Sequence, residues 1–546
     1  MPSRSYAHGA SPVPLLGETI AENFRRTVER SATKPALIVR SQGKRFTWGE
    51  LLDQVRLAAR GLLARGVQKG DRVGIWAPNR YEWVVLQYAT AQIGAILVNV
   101  NPAYKTSELE YVLQQSGASL LVYAKAFRTS DFHGMVEEVR GRCPQLRQTI
   151  QLEDGWDRLL ADAAGSTEQQ LRQREASLDP DDAINIQYTS GTTGFPKGAT
   201  LSHDNILNNG YFIGETLRYS DADRVCIPVP FYHCFGMVLA NLACTTHGAC
   251  MVIPGEAFDP LAVLETVQAE RCTALYGVPT MFIAVLDHPR FKEFDVASLR
   301  TGIMAGSPCP VEVMRKVQSL LHMPEVTICY GMTETSPVST QSAVDDPIAK
   351  RVGTVGRVHP HVEVKVIHPE SGATLPRGTP GELCTRGYSV MLGYWNNEAA
   401  TSAAVDAAGW MHTGDLATMD EDGYVNIVGR IKDMIIRGGE NIYPREIEEF
   451  LYGHPAVSDV QVIGVPSEKY GEEVMAWVKL KPGAEVTGAG LDAFCRGKIA
   501  SYKIPRFWKF VEGFPMTVTG KVQKFRMRDM AVEELGLQRA ARMKTA

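Results

Sequence analysis

A run of hydroxyls and glycines ending in a lysine constrains this chain more than any other feature: Tyr188-Thr189-Ser190-Gly191-Thr192-Thr193-Gly194-Phe195-Pro196-Lys197-Gly198. The apolar stretch before it, Ala183-Ile184-Asn185-Ile186-Gln187-Tyr188, predicts a buried strand. Glycines let backbone N–H groups crowd an anion, hydroxyls add donors, and the lysine supplies a point charge. Together they predict a phosphate-handling loop. It is not a Walker A loop, because Gly191 lacks the Gly-Lys-Ser/Thr that would follow at the required distance. The plainer alternative, a flexible Ser/Thr/Gly linker, fits poorly with the strand before the run and with Pro196-Lys197 at its end.

At 546 residues the chain exceeds one ordinary core, which predicts two or more domains. A net charge of −4 gives no sign of nucleic acid or an anionic membrane as partner. The ten cysteines are scattered, with no Cys-x-x-Cys pair and no His-Glu-x-x-His, so they read as free thiols in a reducing compartment rather than a zinc site. Cys234 beside His233 reads as a wall residue, since neighbours on a chain seldom point at each other. The N-terminus lacks an apolar core followed by a cleavage site, and the longest apolar runs are too short to span a bilayer. A cytoplasmic protein is expected. No heptad or long apolar helix signals an oligomer, so oligomeric state stays open.

Helical and strand patterns alternate. An amphipathic helix is expected from Gly49 to about Ala64, a strand at Arg72–Trp76, a buried helix from Trp83 to Ile93 and a strand at Ser119–Tyr123. Such alternation implies parallel sheets covered on both faces. The Asp-, Glu- and Gln-rich stretch from Glu153 to Asp182 reads as a surface excursion. After Gly429 the pattern restarts: a helix near Pro444–Tyr452, strands at Val457–Val465 and Val474–Leu480, a helix near Gly490–Ala500 and a strand at Phe507–Val511. The domain boundary is expected at Arg430 to Asp433, giving domains 1–430 and 431–546.

The glycine-rich run resembles the phosphate loop of the adenylate-forming enzymes, the superfamily of acyl- and aryl-CoA synthetases, firefly luciferase and peptide-synthetase adenylation domains. Further motifs of that family follow in order: Pro230-Phe231-Tyr232-His233-Cys234-Phe235-Gly236-Met237, Tyr330-Gly331-Met332-Thr333-Glu334-Thr335 and Thr413-Gly414-Asp415-Leu416. Gly429-Arg430-Ile431-Lys432-Asp433, with Gly438-Gly439-Glu440-Asn441-Ile442, and Thr519-Gly520-Lys521 complete the series. The resemblance covers roughly residues 15 to 535. It implies an α/β protein: a large N-terminal domain of layered sheets and helices, and a small mobile α+β C-terminal domain.

The implied chemistry joins a carboxylic acid to coenzyme A at the expense of ATP. A carboxylate is a poor electrophile for a thiol, and a mixed anhydride with AMP supplies the missing leaving group. Two anions must meet, so the protein's task is positioning and charge neutralisation. By resemblance, Thr189, Ser190, Gly191, Thr192, Thr193, Gly194 and Lys197 embrace the phosphates, and Glu334 holds Mg²⁺. Thr333 donates to the α-phosphate, Tyr330 with Gly331 offers a flat face to adenine, and Gly306-Ser307 lines its other side. Asp415 accepts from both ribose hydroxyls and Arg430 closes over the ribose; Asp415 as a plain turn residue is the alternative. Lys521 bridges the attacking carboxylate and the α-phosphate. Lys432 matches the hinge about which the small domain turns, and Gly438 and Gly439 let the pantetheine arm pass close to backbone. His233 reorients to open the thiol tunnel, with a core histidine as the alternative.

Amino-acid-adenylating domains place an aspartate early in the segment where this chain has His233-Cys234-Phe235-Gly236. No acid stands here, and Phe231, Met237, Val238 and Leu239 suit an uncharged tail. Asn441 to Glu448, Gly464-Val465-Pro466 and Phe494 to Ile499 are similar to a medium-chain fatty acyl-CoA synthetase branch. That branch includes a mitochondrial member with a transit peptide; none is evident here, which fits a bacterial relative. The resemblance thus implies an AMP-forming ligase for medium- to long-chain fatty acids. An aryl- or branched-acid ligase, and a non-catalytic nucleotide-binding relative, remain as alternatives.

Overall fold

A computed structural model describes residues 3–189, 196–306, 309–437, 440–516 and 522–542. The chain forms two compact units, one of residues 7–364 and 384–412, the other of residues 1–6, 365–383 and 413–546.

The larger unit is built on two mixed sheets. In the nine-stranded sheet, Arg224–Cys226, Ala274–Gly277, Thr301–Met304 and Glu325–Gly331 are consecutive parallel neighbours. In the seven-stranded sheet, the expected strand runs from Ala183 to Thr189; it lies parallel to Ile96–Asn99 and antiparallel to Lys197–Ser202. These parallel strands are buried along most of their length, as expected where both sheet faces are covered. The amphipathic helix spans Trp48–Ala64, and its start is fixed by a capping box in which Thr47 and Glu50 satisfy each other's backbone amides. The helix Tyr81–Ile93 is buried at every residue and stops at Gly94, whose φ of +68° only glycine adopts easily.

The stretch from Glu153 to Asp182, expected as a surface excursion, is mostly exposed and is helical over Leu152–Ala161 and Glu168–Glu175. Leu152, Trp156 and Leu159 form a narrow stripe at helical spacing, and Leu171 is the single buried residue of the second helix. Polar composition hid three anchoring side chains at helical period.

From Thr413 onward the smaller unit contains the hairpin of strands Met411–Met419 and Val425–Arg430, turned at Asp420–Gly423, and a compact α+β body. In that body the strands Glu440–Ile442, Ile435–Arg437, Gly471–Leu480 and Val457–Ser467 lie side by side, and Phe507–Phe510 runs parallel to Gly471–Leu480. The expected helix near Gly490 spans Gly488–Cys495, and Pro444–Tyr452 is helical as expected. Ile447, Leu451, Val462, Val474, Val478 and Leu491 meet in its core.

Candidate active site

The carboxyl ends of parallel strands, and the loops that follow them, carry most of the expected site residues of the larger unit. This is where open α/β sheets bind ligands. His233 follows Arg224–Cys226, Gly306 follows Thr301–Met304, and Tyr330 and Gly331 end Glu325–Gly331. Gly306 has φ +90°, which favours glycine. Gly331 is required by close approach: a Cβ there would sit 1.6 Å from the Pro337 carbonyl oxygen. Directly after it, Thr333–Thr335 forms a single 3₁₀ turn that aims Glu334 inward.

Glu334 is a buried carboxylate. It is 5% exposed, and its Oε1 accepts from the Tyr394 hydroxyl at 2.8 Å and from Thr189 Oγ1 at 3.3 Å. The Met391 amide donates to the Glu334 carbonyl at 2.9 Å, so backbone and side chain are both held. Burial, then the Glu334 charge, pushes the Tyr394 phenol well above its ordinary range, which keeps it a donor. Lys197 stands opposite Thr189 in the strand pair, and its Nζ lies 4.9 Å from the centre of the Tyr394 ring. Thr189, Lys197, Glu334 and Tyr394 therefore form one cluster at the mouth of the glycine-rich run. Its carboxylate and hydroxyl oxygens are the hard donors that Mg²⁺ prefers, so the residues fit that ion.

Next to the cluster lies an apolar wall. Phe231, Cys234, Met237, Val238 and Leu239 are all buried. The Cys234 thiol donates to Gln187 Oε1 at 3.1 Å, and burial reinforced by the Glu334 charge pushes its pKa well up. A thiol so held is a wall residue and not a nucleophile. His233 caps the short helix that follows, its Nδ1 accepting from the Phe235 amide at 3.2 Å. The next turn, Met237–Leu242, is π-helical, and its carbonyls are met by side-chain donors: Gln87 Nε2 to Met237 at 3.1 Å, Tyr276 hydroxyl to Leu239 at 3.0 Å.

In the smaller unit Asp415 and Arg430 face each other across the hairpin, with guanidinium and carboxylate 3.3 Å apart. Asp415 is thus a strand residue and not part of the turn. Lys432 lies in the 3₁₀ turn Ile431–Asp433. Burial, then the neighbouring Arg430 charge, lowers its pKa. Ser190, Gly191, Thr192, Thr193, Gly194, Ser307, Gly438, Gly439 and Lys521 lie outside the described residues.

Sequence reasoning missed Tyr394 and Gln187. Tyr394 sits on the two-residue strand Gly393–Tyr394, which pairs with Ala199 and Thr200. The Gly-Tyr-Trp cluster at 393–395 was its only signal, and nothing in the pattern ties it to a glutamate 60 residues earlier.

The sequence matches the AMP-binding enzyme family over residues 24–395 and the AMP-binding enzyme C-terminal domain over residues 446–521. It is 48% identical to YngI of Bacillus subtilis (strain 168), covering 96% of this chain and 99% of that one. It is 43% identical to the mitochondrial medium-chain acyl-CoA ligase ACSF2 of Danio rerio, over 98% of this chain and 91% of the relative. Among solved structures, ATP-bound MatB from Rhodopseudomonas palustris superposes with a TM-score of 0.83 at 32% identity, covering 94% of this chain and 99% of that one. The anthranilate CoA ligase AuaEII with anthranoyl-AMP gives 0.87 at 27% identity, with 96% and 99% covered. The chain belongs to the AMP-binding, adenylate-forming enzyme family. Within it, the protein is an AMP-forming acid–CoA ligase.

Proposed function

We propose that the protein activates a medium- to long-chain fatty acid, first to acyl-AMP with release of pyrophosphate, then to acyl-CoA with release of AMP. The observation that carries the acid class is the buried apolar wall of Phe231, Met237, Val238 and Leu239, without an acidic residue among them. Similarity to the medium-chain ligase ACSF2 over nearly the whole chain supports the same reading.

In this reading a carboxylate oxygen of the acid attacks the α-phosphorus and pyrophosphate leaves. Thr189, Lys197 and the hydroxyls and amides of residues 190–194 steady the phosphates, and Lys521 lies between the two reacting anions. Thr333 donates to the α-phosphate, while Tyr330, Gly331, Gly306 and Ser307 hold the base. Glu334 and Thr189 would hold Mg²⁺, which when bound draws charge from the phosphates. Asp415 exchanges its Arg430 partner for the ribose hydroxyls. In the second step the CoA sulphur attacks the acyl carbon, the carbon–oxygen bond to AMP breaks, and the thiol proton is released to solvent. Lys432 serves as the hinge between domains 1–430 and 431–546, Gly438 and Gly439 flank the thiol's path, and His233 turns aside to admit it. The ten buried, free cysteines suit a reducing, cytoplasmic setting.

A second reading, an aryl-acid ligase, is favoured by the high structural similarity to the anthranilate ligase. The test is CoA-dependent AMP release with MgATP across straight-chain acids from acetate to oleate, plus benzoate, phenylacetate and a branched acid. A peak among mid-length fatty acids is expected. A peak at benzoate or phenylacetate would replace the substrate class, and ATP binding with no AMP from any acid would point to a non-catalytic relative.

A further inference from the structure

Two neighbouring carboxylates grip the strand that enters Gly438-Gly439. Among the described residues, strand Ile435–Arg437 shares one register pair with Gly471–Leu480, that of Arg437 with Gly471. Around that pair the attachment is made by side chains. Glu472 Oε2 accepts the Ile436 amide at 2.9 Å, and its Oε1 lies 2.8 Å from Arg528 on the helix Lys524–Glu534. Glu473 takes Arg437 in a two-pronged contact, Nε at 2.7 Å and a terminal nitrogen at 3.1 Å. The Arg437 guanidinium also lies 4.4 Å from the centre of the Tyr470 ring.

Glu473 is only 3% exposed, and Arg506 approaches it at 3.7 Å. A fork-on-fork arginine–carboxylate pair fixes direction as well as distance. Buried ion pairs add little net stability, because desolvation offsets their attraction, and their best-attested use is to specify register. Here the specified register is that of Ile435–Arg437 against Gly471–Leu480; Ile435–Arg437 is also one strand of a hairpin with Glu440–Ile442, the glycines standing between them in sequence.

We infer that Glu472 and Glu473 are positioning residues for the thioester-forming half-reaction, acting through the Ile436 amide and the Arg437 side chain to aim this hairpin at the incoming thiol. The inference rests on the function proposed above. The groups assigned to acyl-AMP formation stand on other segments: Thr189, Lys197, Thr333 and Glu334 in the larger unit, Asp415 and Arg430 on the hairpin before Ile435, and Lys521 later in the sequence. The two half-reactions should therefore respond differently when the grip is loosened.

The experiment compares wild type, Glu472→Gln, Glu473→Gln and Arg437→Lys in the full-length protein. Acid-dependent ATP–pyrophosphate exchange reads the first half-reaction; AMP release from synthetic acyl-AMP and CoA reads the second. Thermal melting reports folding. Exchange is expected to stay within about twofold of wild type, while the second half-reaction falls about tenfold to a hundredfold with a raised KM for CoA, the scale of a misplacement of about 1 Å. Arg437→Lys keeps the charge but loses the fork, and should fall between wild type and Glu473→Gln even if the glutamine variants fold poorly. Equal losses in both half-reactions, or no loss in either, would overturn the inference while leaving the proposed function intact. A wild-type protein inactive in both would overturn the proposed function and this inference with it.

Discussion

At the scale of single residues, the site is decided by which groups hold which charges. Glu334 offers a buried carboxylate whose Oε1 is pinned by Tyr394 and Thr189. Removing the Tyr394 hydroxyl takes away the shorter of the two bonds that hold the carboxylate, so Tyr394→Phe should raise the Mg²⁺ concentration giving half-maximal acyl-AMP formation by about tenfold, the usual effect of losing a residue that orients a metal ligand. A magnesium titration of pyrophosphate release checks this; an unchanged midpoint would mean that Glu334 holds no metal. Lys521 is tested differently, because its assignment rests on its Thr517-Val518-Thr519-Gly520-Lys521 context and on the motifs upstream. Lys521→Ala should abolish acyl-AMP formation yet spare thioester formation from supplied acyl-AMP. Equal loss of both would indicate misfolding. Glu334 was legible from its motif, whereas Tyr394 was not, because a tyrosine's partner across 60 residues depends on which strands pair.

At the scale of elements, local pattern was a good guide wherever one period dominated. The helix Trp48–Ala64 carries its own start signal, and the strand Ala183–Thr189 is a short apolar run that ends in glycine-rich sequence. The helices after Leu152 were hidden because few apolar residues anchor them amid charge. The π-helical turn Met237–Leu242 was equally invisible, since the donors that meet its carbonyls, from Gln87 and Tyr276, lie far away in sequence. Gly331 shows how an element can demand one residue. An alanine Cβ would meet the Pro337 carbonyl oxygen at 1.6 Å, so the strand end and the turn bearing Glu334 must separate. Gly331→Ala should cost several kcal/mol, as backbone collisions and overpacking do, and should weaken ATP binding more than acid binding. Isothermal titration with each ligand, beside a melting curve, checks both parts; a variant that melts and binds ATP like wild type would rule out so tight an approach.

At the scale of the whole molecule, a large and a small domain were legible from length and from the order of the motifs. What composition could not show is which titratable groups folding removes from water. His359 is wholly buried, and desolvation lowers its pKa from 6.5 to about 3. Burial likewise lowers His203 from 6.5 to about 4. Between these values and 6.5 the unfolded chain binds protons that the folded chain refuses, so stability is lost as pH falls through that window. Asp204 works in the opposite sense. Burial, then the Asp181 charge, raises it from 3.8 to about 6, so the folded chain holds a proton there that the unfolded chain releases, which favours folding as pH falls from 6 towards 3.8. Two histidines outweigh one half-buried carboxyl, so urea midpoints should drop between pH 7 and pH 5. Each full proton of difference is worth about 1.4 kcal/mol per pH unit. His359→Gln, which can keep an amide near Gln341, should flatten that slope by about one proton, and Asp204→Asn should steepen it. Parallel slopes for wild type and His359→Gln would mean that His359 meets water or a second partner in the folded state, and that the acid sensitivity of this enzyme arises elsewhere.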